Sequence, residues 1–202
     1  MTQLTAVVAL IGPAGAGKST VANYLVKKYG AQRYSFAEPL KEVAKRTLGF
    51  TEQQMYGTQE EKEAKDPRYG FSPRWFLQRL GTDGCRAVFG QDFWTKMCLD
   101  IIYRQNPALA VIEDCRFIDE AEMVLYSPRV NGFVWRLRPP ADEEALERAL
   151  SAGVHASELE WASAPASLEL APNTRGASEL KALVDIAMEG IPLRNAAKGM
   201  RL

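Results

Sequence analysis

A glycine-rich segment near the start of the chain has the residue types and spacing of a loop that binds phosphate groups. It follows the pattern G-x-x-x-x-G-K-[ST], with Gly12, Gly17, Lys18 and Ser19 at the fixed positions. Glycine permits backbone angles at which successive N–H groups turn towards phosphate oxygens. In this pattern the lysine reaches the β- and γ-phosphates, and the hydroxyl is a ligand for Mg²⁺. We expect a nucleoside triphosphate to be bound by the loop residues Gly12, Gly15, Ala16, Gly17, Lys18, Ser19 and Thr20.

The residues on either side of this loop predict the strand and the helix that such a loop connects. The apolar run at 6–11 is typical of a buried strand, and Val21 and Leu25 share one face of a helix that ends at Gly30. The phosphates would then meet a helix N-terminus, whose dipole favours anions. The alternative is a glycine-rich turn that contains Lys-Ser by chance, and the flanking strand and helix disfavour it.

The composition favours one domain with small ligands. The chain has 202 residues, of which 47% are hydrophobic, which suits a single α/β domain with insertions. Its 25 basic and 25 acidic residues give a net charge of zero, which argues against binding of long nucleic acid. No apolar run reaches the ~20 residues of a membrane helix, and the first residues do not resemble a signal peptide. Because Cys85, Cys98 and Cys115 contain no C-x-x-C pair, we expect free thiols in a cytoplasmic protein.

Predicted strands and helices alternate along the chain. Short apolar runs predict further strands at residues 32–36, 109–112, 132–138 and 167–170. Helical patterns lie at residues 38–48, 93–103, 117–126 and 142–150, and a last helix contains residues 180–186. This alternation after a phosphate-binding loop predicts a three-layer α/β fold around a parallel sheet.

Two segments between the second and third predicted strands are of interest for binding. Residues 51–69 are rich in Glu, Lys and Gln, so we expect an exposed, partly helical and mobile excursion. Residues 72–89 predict one helix that begins at Ser72. Helical spacing gives it an apolar face and a polar face, formed by Phe76, Leu77, Leu80 and Val88 and by Arg79, Thr82 and Arg86, respectively.

Charged residues follow the third predicted strand. The apolar run at 109–112 leads into Glu113, Asp114, Cys115 and Arg116. The carboxyl ends of strands form the edge at which open α/β sheets bind ligands. We therefore expect Asp114 and Arg116 to lie at this ligand-binding edge. The role expected for Asp114 is a water-mediated contact to Mg²⁺ or orientation of the acceptor, with capping of the next helix as the alternative.

The remaining motifs favour transfer to a phosphate acceptor over other uses of a P-loop. The chain lacks the D-x-x-G and N-K-x-D segments expected of a GTPase. A phosphomonoester acceptor needs no strong base because its second pKa is about 6, but it does need cations to hold two polyanions together. The arginines of residues 72–89 and Arg116 supply cations, although each is equally compatible with a solvated surface. Trp75 and Gln78 offer a wall and an amide for a base, with a core position as the alternative for Trp75.

These residues carry a resemblance to a known family. The motifs are Phe36-Ala37-Glu38-Pro39-Leu40-Lys41, Pro73-Arg74, Leu77-Gln78-Arg79-Leu80-Gly81-Thr82, Arg86, Trp94, Asp114-Cys115-Arg116-Phe117 and Glu120. They resemble those of the deoxynucleoside monophosphate kinases of bacteriophages and some bacteria, densely between residues 9 and 120. The resemblance implies a P-loop NTPase fold with a parallel five-stranded sheet, an acceptor-binding helical insertion and a short lid. It also implies transfer of a phosphoryl group from ATP, with Mg²⁺, to a deoxynucleoside 5′-monophosphate.

The resemblance and the residue chemistry together give a set of site assignments. The catalytic candidates are Lys18, Asp114, Arg86 and Arg116, and the Mg²⁺ candidates are Ser19 and Asp114. The acceptor candidates are Lys41, Arg74, Trp75, Gln78, Arg79, Thr82, Arg86 and Arg116. The lid candidates are Arg138 and Arg148. We expect one kinase domain over 1–202, with its core at 5–36 and 109–190, the acceptor region at 37–105 and the lid at 139–158.

Several alternatives stay open from the sequence. His155-Ala156-Ser157-Glu158 and Asn173 are loosely similar to segments of phosphomevalonate and dephospho-coenzyme A kinases, so the acceptor could be another phosphorylated metabolite. A further alternative, from a different class, is an ATP-binding interaction protein with no acceptor chemistry. The accepted base, the selection of deoxyribose over ribose, the role of His155 and the formation of a homodimer are also open, and a phage-encoded chain would act in the host cytoplasm.

Overall fold

The computed structural model describes residues 4–13, 15–138, 160–172 and 176–193. The chain divides into a sheet unit, Met1–Ser35 with Leu99–Leu202, and a helical unit, Phe36–Cys98. The predicted lid with Arg148, the predicted helix at 142–150, His155 and Asn173 lie outside the described residues. Within the described residues, no helix is long and apolar enough to span a bilayer.

The sheet unit contains five parallel strands in the order β2-β3-β1-β4-β5. The strands are β1 Ala6–Ile11, β2 Gln32–Tyr34, β3 Leu109–Cys115, β4 Asn131–Leu137 and β5 Leu168–Leu170. Its helices include α1 Lys18–Tyr29, α8 Ile118–Leu125 and α9 Ala177–Glu189. A parallel sheet with helices on both faces was expected, and the structure confirms it.

Both faces of the central strand are covered, which explains its uninterrupted apolar run. All six residues of β1 are fully buried. On one face, Val8 and Leu10 pack in a core with Leu25 of α1 and Val184 of α9. Helix α8 lies close to β4, as Gly132 of β4 shows. A Cβ on Gly132 would lie 1.8 Å from the carbonyl oxygen of Val124 in α8.

Strand β3 is longer than its apolar residues predict. It continues through Glu113 and Asp114 to Cys115 instead of ending at Ile112. Ala9 of β1 pairs with Ile112, whereas Ile11 pairs with Cys115, so β3 carries one extra residue between these pairs. One extra residue in one of two paired strands is typical of a β-bulge, and a bulge changes the directions of the side chains beside it.

The phosphate-loop helix α1 is fastened to the last helix α9 by one carboxylate. Asp185 accepts hydrogen bonds from the hydroxyls of Tyr24 at 3.0 Å and Tyr29 at 2.7 Å. The ammonium group of Lys28 lies 2.7 Å from the same carboxylate. Since these residues lie far apart in sequence, the contact belongs to the tertiary fold and could not be predicted from local patterns.

The helical unit is built from short helices, and α7 continues from it into the sheet unit. These are α2 Glu38–Leu48, α3 Glu52–Tyr56, α4 Gln59–Glu63, α5 Pro73–Gln78, α6 Ala87–Phe89 and α7 Phe93–Gln105. Residues Arg79–Arg86 between α5 and α6 form a π-helix, which we call the π segment. The prediction of one regular α-helix over 72–89 is therefore wrong in its middle.

A side chain from outside the π segment bonds to its backbone. The indole nitrogen of Trp94 donates a hydrogen bond to the carbonyl oxygen of Gly81 at 3.2 Å. A side chain that bonds a helix carbonyl disturbs the regular ladder of hydrogen bonds. Gly81 also has little room, since a Cβ there would lie 3.0 Å from Leu40. The helix propensities of residues 72–89 could therefore not predict this contact.

The π segment also changes which residues are buried. We predicted that Val88 would pack with Phe76, Leu77 and Leu80, but its side chain is 70% exposed. Because a π-helix has five-residue hydrogen-bond spacing, residues beyond it leave the face that an α-helix would assign to them. The predicted apolar face therefore ends before Val88.

The segment at 51–69 has firmer anchors than we expected. Met55 is 1% exposed and packs with Ala44 and Phe50. Thr51 and Thr58 form capping boxes at the starts of α3 and α4. The expectation of an exposed excursion is wrong at Met55, because this side chain packs against Ala44 of α2 and Phe50 in a small core outside the segment.

Asp66 is the polar anchor of the same segment. It is 4% exposed and accepts hydrogen bonds from the guanidinium group of Arg68 at 2.8 Å and the amide of Gln54 at 2.9 Å. The Arg68 guanidinium, and then the Gln54 amide, hold the pKa of the Asp66 carboxyl well below its usual range. The carboxylate is therefore charged throughout the neutral range.

We predict that Asp66→Asn destabilises the protein in a pH-dependent way. A carboxyl whose pKa is lowered by folding stabilises the folded state above its unfolded pKa of about 4, and this contribution falls as the pH drops below that value. The free energy of unfolding of the variant should be lower than that of the unchanged protein at pH 7, and the difference should shrink between about pH 4 and 2. Urea unfolding at several pH values measures this difference. A difference that stays constant over that range would contradict the assignment, and Asp92→Asn, at a surface ion pair, serves as the control.

Candidate active site

The loop after β1 has a backbone that only glycine accommodates at two positions. Gly12 has a φ of +153°, and a Cβ there would lie 2.5 Å from the carbonyl oxygen of Leu137 in β4. Gly17 has a φ of +94° at the start of α1, and its Cβ would lie 2.8 Å from Leu180 of α9. The loop is therefore closely enclosed by backbone and side chains, and positive φ values turn its N–H groups.

Lys18 folds back over this loop. Its ammonium group donates hydrogen bonds to the carbonyl oxygens of Gly12 at 2.6 Å and Pro13 at 2.8 Å. The side chain of Ala16 is buried, so any contact that it makes with a ligand is through its backbone. Ser19 is exposed and Thr20 partly exposed in the first turn of α1. A cradle that a Cβ would fill, with an ammonium group across it, fits the phosphates of a nucleotide.

Asp114 lies at the carboxyl end of β3, beside the strand that leads into the loop. The next residue, Cys115, pairs with Ile11, which directly precedes Gly12. The hydroxyl of Ser35, the first residue after β2, donates a hydrogen bond to Oδ2 of Asp114 at 2.6 Å. Carboxylate and hydroxyl oxygens are the donors that Mg²⁺ prefers, so Asp114 and Ser19 fit a metal bound with the phosphates.

Arg116 is held at the same edge by a carboxylate to which sequence reasoning gave no role. Glu120 is 2% exposed and accepts hydrogen bonds from the backbone N–H groups of Arg116 at 2.8 Å and Phe117 at 3.2 Å. Glu120 thus caps the start of α8, the function that we had considered for Asp114. An acid three residues after a helix start is the sequence signal for such a cap.

Cys115 is a fully buried thiol at the end of β3. Burial, and then the charge of Glu120, raise the pKa of the Cys115 thiol well above its usual value. The thiol therefore stays protonated and behaves as a small apolar side chain.

Two of the predicted acceptor arginines have exposed partners within the helical unit. Arg74 donates to the amide oxygen of Gln59 at 2.6 Å and lies 3.5 Å from Glu63 of α4. Arg79 pairs with Asp83 at 2.5 Å, and the two arginine side chains are 41% and 62% exposed. Exposed ion pairs contribute about 0–1 kcal/mol, so a phosphate group can compete for both guanidinium groups.

Trp75 is not a core residue. Its side chain is 46% exposed, which excludes the alternative that we left open. The guanidinium carbon of Arg79 lies 5.8 Å from the centroid of the Trp75 ring, and the ring of Phe71 lies 5.1 Å from it. Gln78 is exposed at the end of α5, while Thr82 and Arg86 lie in the π segment. The structure thus brings Trp75 and Arg79 together at an exposed position of the helical unit.

Lys41 and Arg138 complete the described site candidates, each in its own unit. The ammonium group of Lys41 lies 4.3 Å from the centroid of the Tyr56 ring, and the Tyr56 hydroxyl is hydrogen-bonded to Glu38. Burial, and then this bond to Glu38, raise the pKa of the Tyr56 phenol. Arg138 follows β4, and its Nε lies 2.8 Å from Glu169 of β5.

Comparison with known proteins gives two curated relatives. The chain is 36% identical over 132 residues to a protein of Acanthamoeba polyphaga mimivirus named as a deoxynucleotide monophosphate kinase, covering 58% of this chain and 67% of the relative. It is 27% identical over 180 residues to the deoxynucleoside-5′-monophosphate kinase of Escherichia phage T5, covering 60% and 72%. A scan against protein-family models finds no match.

Comparison with solved structures gives one similar fold and one weaker match. The Thermus thermophilus protein TT1252 superposes with a TM-score of 0.50 at 18% identity, covering 93% of this chain and 99% of that structure. Shikimate kinase from Aquifex aeolicus gives a TM-score of 0.45 at 15% identity, with 91% and 96% covered. At these identities, the likeness to the Thermus protein concerns the fold alone.

We predict that Gly12→Ala weakens nucleotide binding. The added Cβ would strike the Leu137 carbonyl and push the loop away from the phosphates, so the Kd for ATP should rise about tenfold or more, or ~1.4 kcal/mol. Gly30→Ala is the matched control, because Gly30 also has a positive φ, +66°, but nothing lies within 4 Å of its Cβ position. Titration calorimetry measures both affinities. Equal affinities of the two variants would show that the close approach at Gly12 does not shape the site.

Proposed function

Because the chain belongs to the deoxynucleotide monophosphate kinases, we propose that it transfers the γ-phosphoryl group of ATP, with Mg²⁺, to a deoxynucleoside 5′-monophosphate. The products are the deoxynucleoside diphosphate and ADP. The observation that carries the proposal is the enclosed loop at Gly12 and Gly17, over which the Lys18 ammonium group lies. It is supported by the relationship to the mimivirus protein, of which this chain covers two thirds.

The donor side of the reaction uses residues of the sheet unit. Lys18 is the group that exchanges its two carbonyl partners for the β- and γ-phosphate oxygens, and an ammonium group has three donors with which to do so. The backbone N–H groups from Gly12 to Thr20 hold the other phosphate oxygens. Ser19 and Asp114 hold Mg²⁺, which when bound neutralises charge that builds up on the transferred group.

The acceptor side needs cations and no general base. A nucleoside monophosphate is already largely dianionic at neutral pH, because its second pKa is about 6. Arg74, Arg79 and Arg86 of the helical unit bind the acceptor phosphate, with Lys41 as a further cation. Arg116 stabilises the charge of the transferred group from the sheet edge. The weak partners of Arg74 and Arg79 in the free protein are consistent with this exchange.

The base of the acceptor lies against Trp75 in this proposal. The exposed indole offers a flat apolar surface, and Gln78, one turn along α5, offers both a donor and an acceptor for the edge of a base. Thr82 adds a hydroxyl. An amide contact to the base edge gives selectivity, whereas stacking is tolerant of different bases.

The lid has a protective function in the proposal. Arg138 and Arg148 lie at and within the predicted lid at 139–158. Closure of a lid over both substrates excludes water, which would otherwise accept the phosphoryl group. The Glu169 partner of Arg138 is 39% exposed, so this ion pair can also be exchanged for a phosphate.

We predict acceptor-dependent formation of ADP. The assay measures ADP release from ATP and Mg²⁺ with dTMP, dGMP, dCMP, dAMP and 5-substituted variants, beside the matching ribonucleotides and a reaction without acceptor. Release with some deoxynucleotides, abolished by Lys18→Ala in a folded variant, is the expected result. If no nucleotide accepts while ATP is bound, another phosphorylated metabolite becomes the better acceptor hypothesis.

We predict that Gln78→Ala alters the order of preferred acceptors. Loss of an amide that pairs with one base edge should lower kcat/KM for that nucleotide about tenfold and change the others less. Gln91→Ala, at an exposed glutamine of the same unit, is the control. Steady-state kinetics with each acceptor measures the effect. A uniform decrease for all acceptors would mean that Gln78 does not read the base.

A further inference from the structure

Ser35 makes a contact that the proposed chemistry does not yet explain. It directly follows β2, whose last residue, Tyr34, pairs with Ile112 of β3. Its hydroxyl donates a hydrogen bond to Oδ2 of Asp114 at 2.6 Å. Both side chains are partly buried, and they lie 79 residues apart in the sequence. The contact joins two strand ends at the edge of the sheet where the phosphate loop begins.

The backbone of β3 is irregular at the same place. One extra residue is present between the pairs Ala9–Ile112 and Ile11–Cys115, and Asp114 lies within that interval. A bulge redirects a side chain by changing the alternation of the strand. It does not fix the rotation of the carboxylate about its own bonds, which requires a hydrogen bond or packing.

A hydroxyl donor suits this purpose. A hydrogen bond from O–H to a carboxylate is short and about twice as strong as one between neutral groups. Ser35 donates its proton to Oδ2, and since a carboxylate has about four lone-pair sites, one such bond does not exhaust its capacity to bind a metal ion or its water. The position of the carboxylate is thereby set before the nucleotide arrives.

We propose that Ser35 is a positioning residue, which holds the Asp114 carboxylate in the orientation needed for Mg²⁺ bound to the nucleotide. This inference rests on the proposed function, in which Asp114 holds Mg²⁺. Ser35 keeps its proton throughout and does not contact the reacting atoms. If the contact served only to join β2 to β3, its loss would lower the stability of the protein. It would not change the factor by which Mg²⁺ increases the affinity for the nucleotide.

The test is the affinity for ADP, measured by titration calorimetry with Mg²⁺ and with EDTA. The ratio of the two affinities reports the contribution of the metal. We expect Ser35→Ala to lower this ratio about tenfold, the usual size of a lost hydrogen bond to a charged group, and to leave the affinity in EDTA unchanged. Ser35→Thr keeps the hydroxyl and should restore the ratio.

Two further variants separate shape from hydrogen bonding. Ser35→Cys keeps nearly the same side-chain shape and replaces the hydroxyl with a thiol, which is a weak donor. It should lower the ratio of affinities as Ser35→Ala does, and it should do so without the loss of packing that could weaken the fold in Ser35→Ala. Ser127→Ala is the control, since the Ser127 hydroxyl also makes a hydrogen bond, which it accepts from the backbone N–H of Arg129 at 3.3 Å. It should not change the ratio.

A double-mutant cycle identifies the residue through which Ser35 acts. In an Asp114→Asn background, Ser35→Ala should have no further effect on the ratio, because the two changes affect one interaction. The inference is overturned if Ser35→Ala and Ser35→Cys leave the ratio unchanged, or if Ser35→Ala acts equally in both backgrounds. Binding of ADP does not require turnover, so these results decide the role of Ser35 even if no acceptor is phosphorylated and the proposed reaction fails.

Discussion

The close approach of the loop after β1 to the backbone of β4 is the constraint on which the sheet unit depends. A Cβ on Gly12 would lie 2.5 Å from the Leu137 carbonyl oxygen, so the two backbones are nearly in contact. This approach requires β1 to be paired on both sides, because only a central strand is fixed from both directions. The loop can then present its N–H groups without any movement of the strand that supports it.

The helix that begins in this loop is fixed by contacts at two points along its length. Leu180 of α9 fills the space beside Gly17 at its first turn, and Asp185 of the same helix binds Tyr24, Lys28 and Tyr29 further along. A helix N-terminus that binds phosphates must keep its direction while charge is added to it. The last helix of the fold therefore supports the first binding site, although it contributes no ligand in our proposal.

The helical unit meets a different requirement from the sheet unit. Its candidate cations, Arg74 and Arg79, are exposed and have partners that a phosphate group can replace, and Trp75 is exposed as well. Beneath them, Met55 and Asp66 are buried and hold the connecting segments in place. A surface that binds and releases a substrate in every turnover needs contacts that can be exchanged, together with well-packed segments that support them.

The sequence by itself determined the features that depend on neighbouring residues. The phosphate loop, the flanking strand and helix, and the alternation that gives a parallel sheet follow from glycine positions, apolar runs and helix ends over short distances. Only the tertiary structure decided the π segment, the extra residue in β3, the burial of Met55 and the bond between Ser35 and Asp114. Each depends on contacts between separate elements, such as the bond from the Trp94 indole of α7 to the Gly81 carbonyl of the π segment. Local propensity contains no information about such partners, and their contact energies outweigh the fraction of a kilocalorie per residue by which propensities differ.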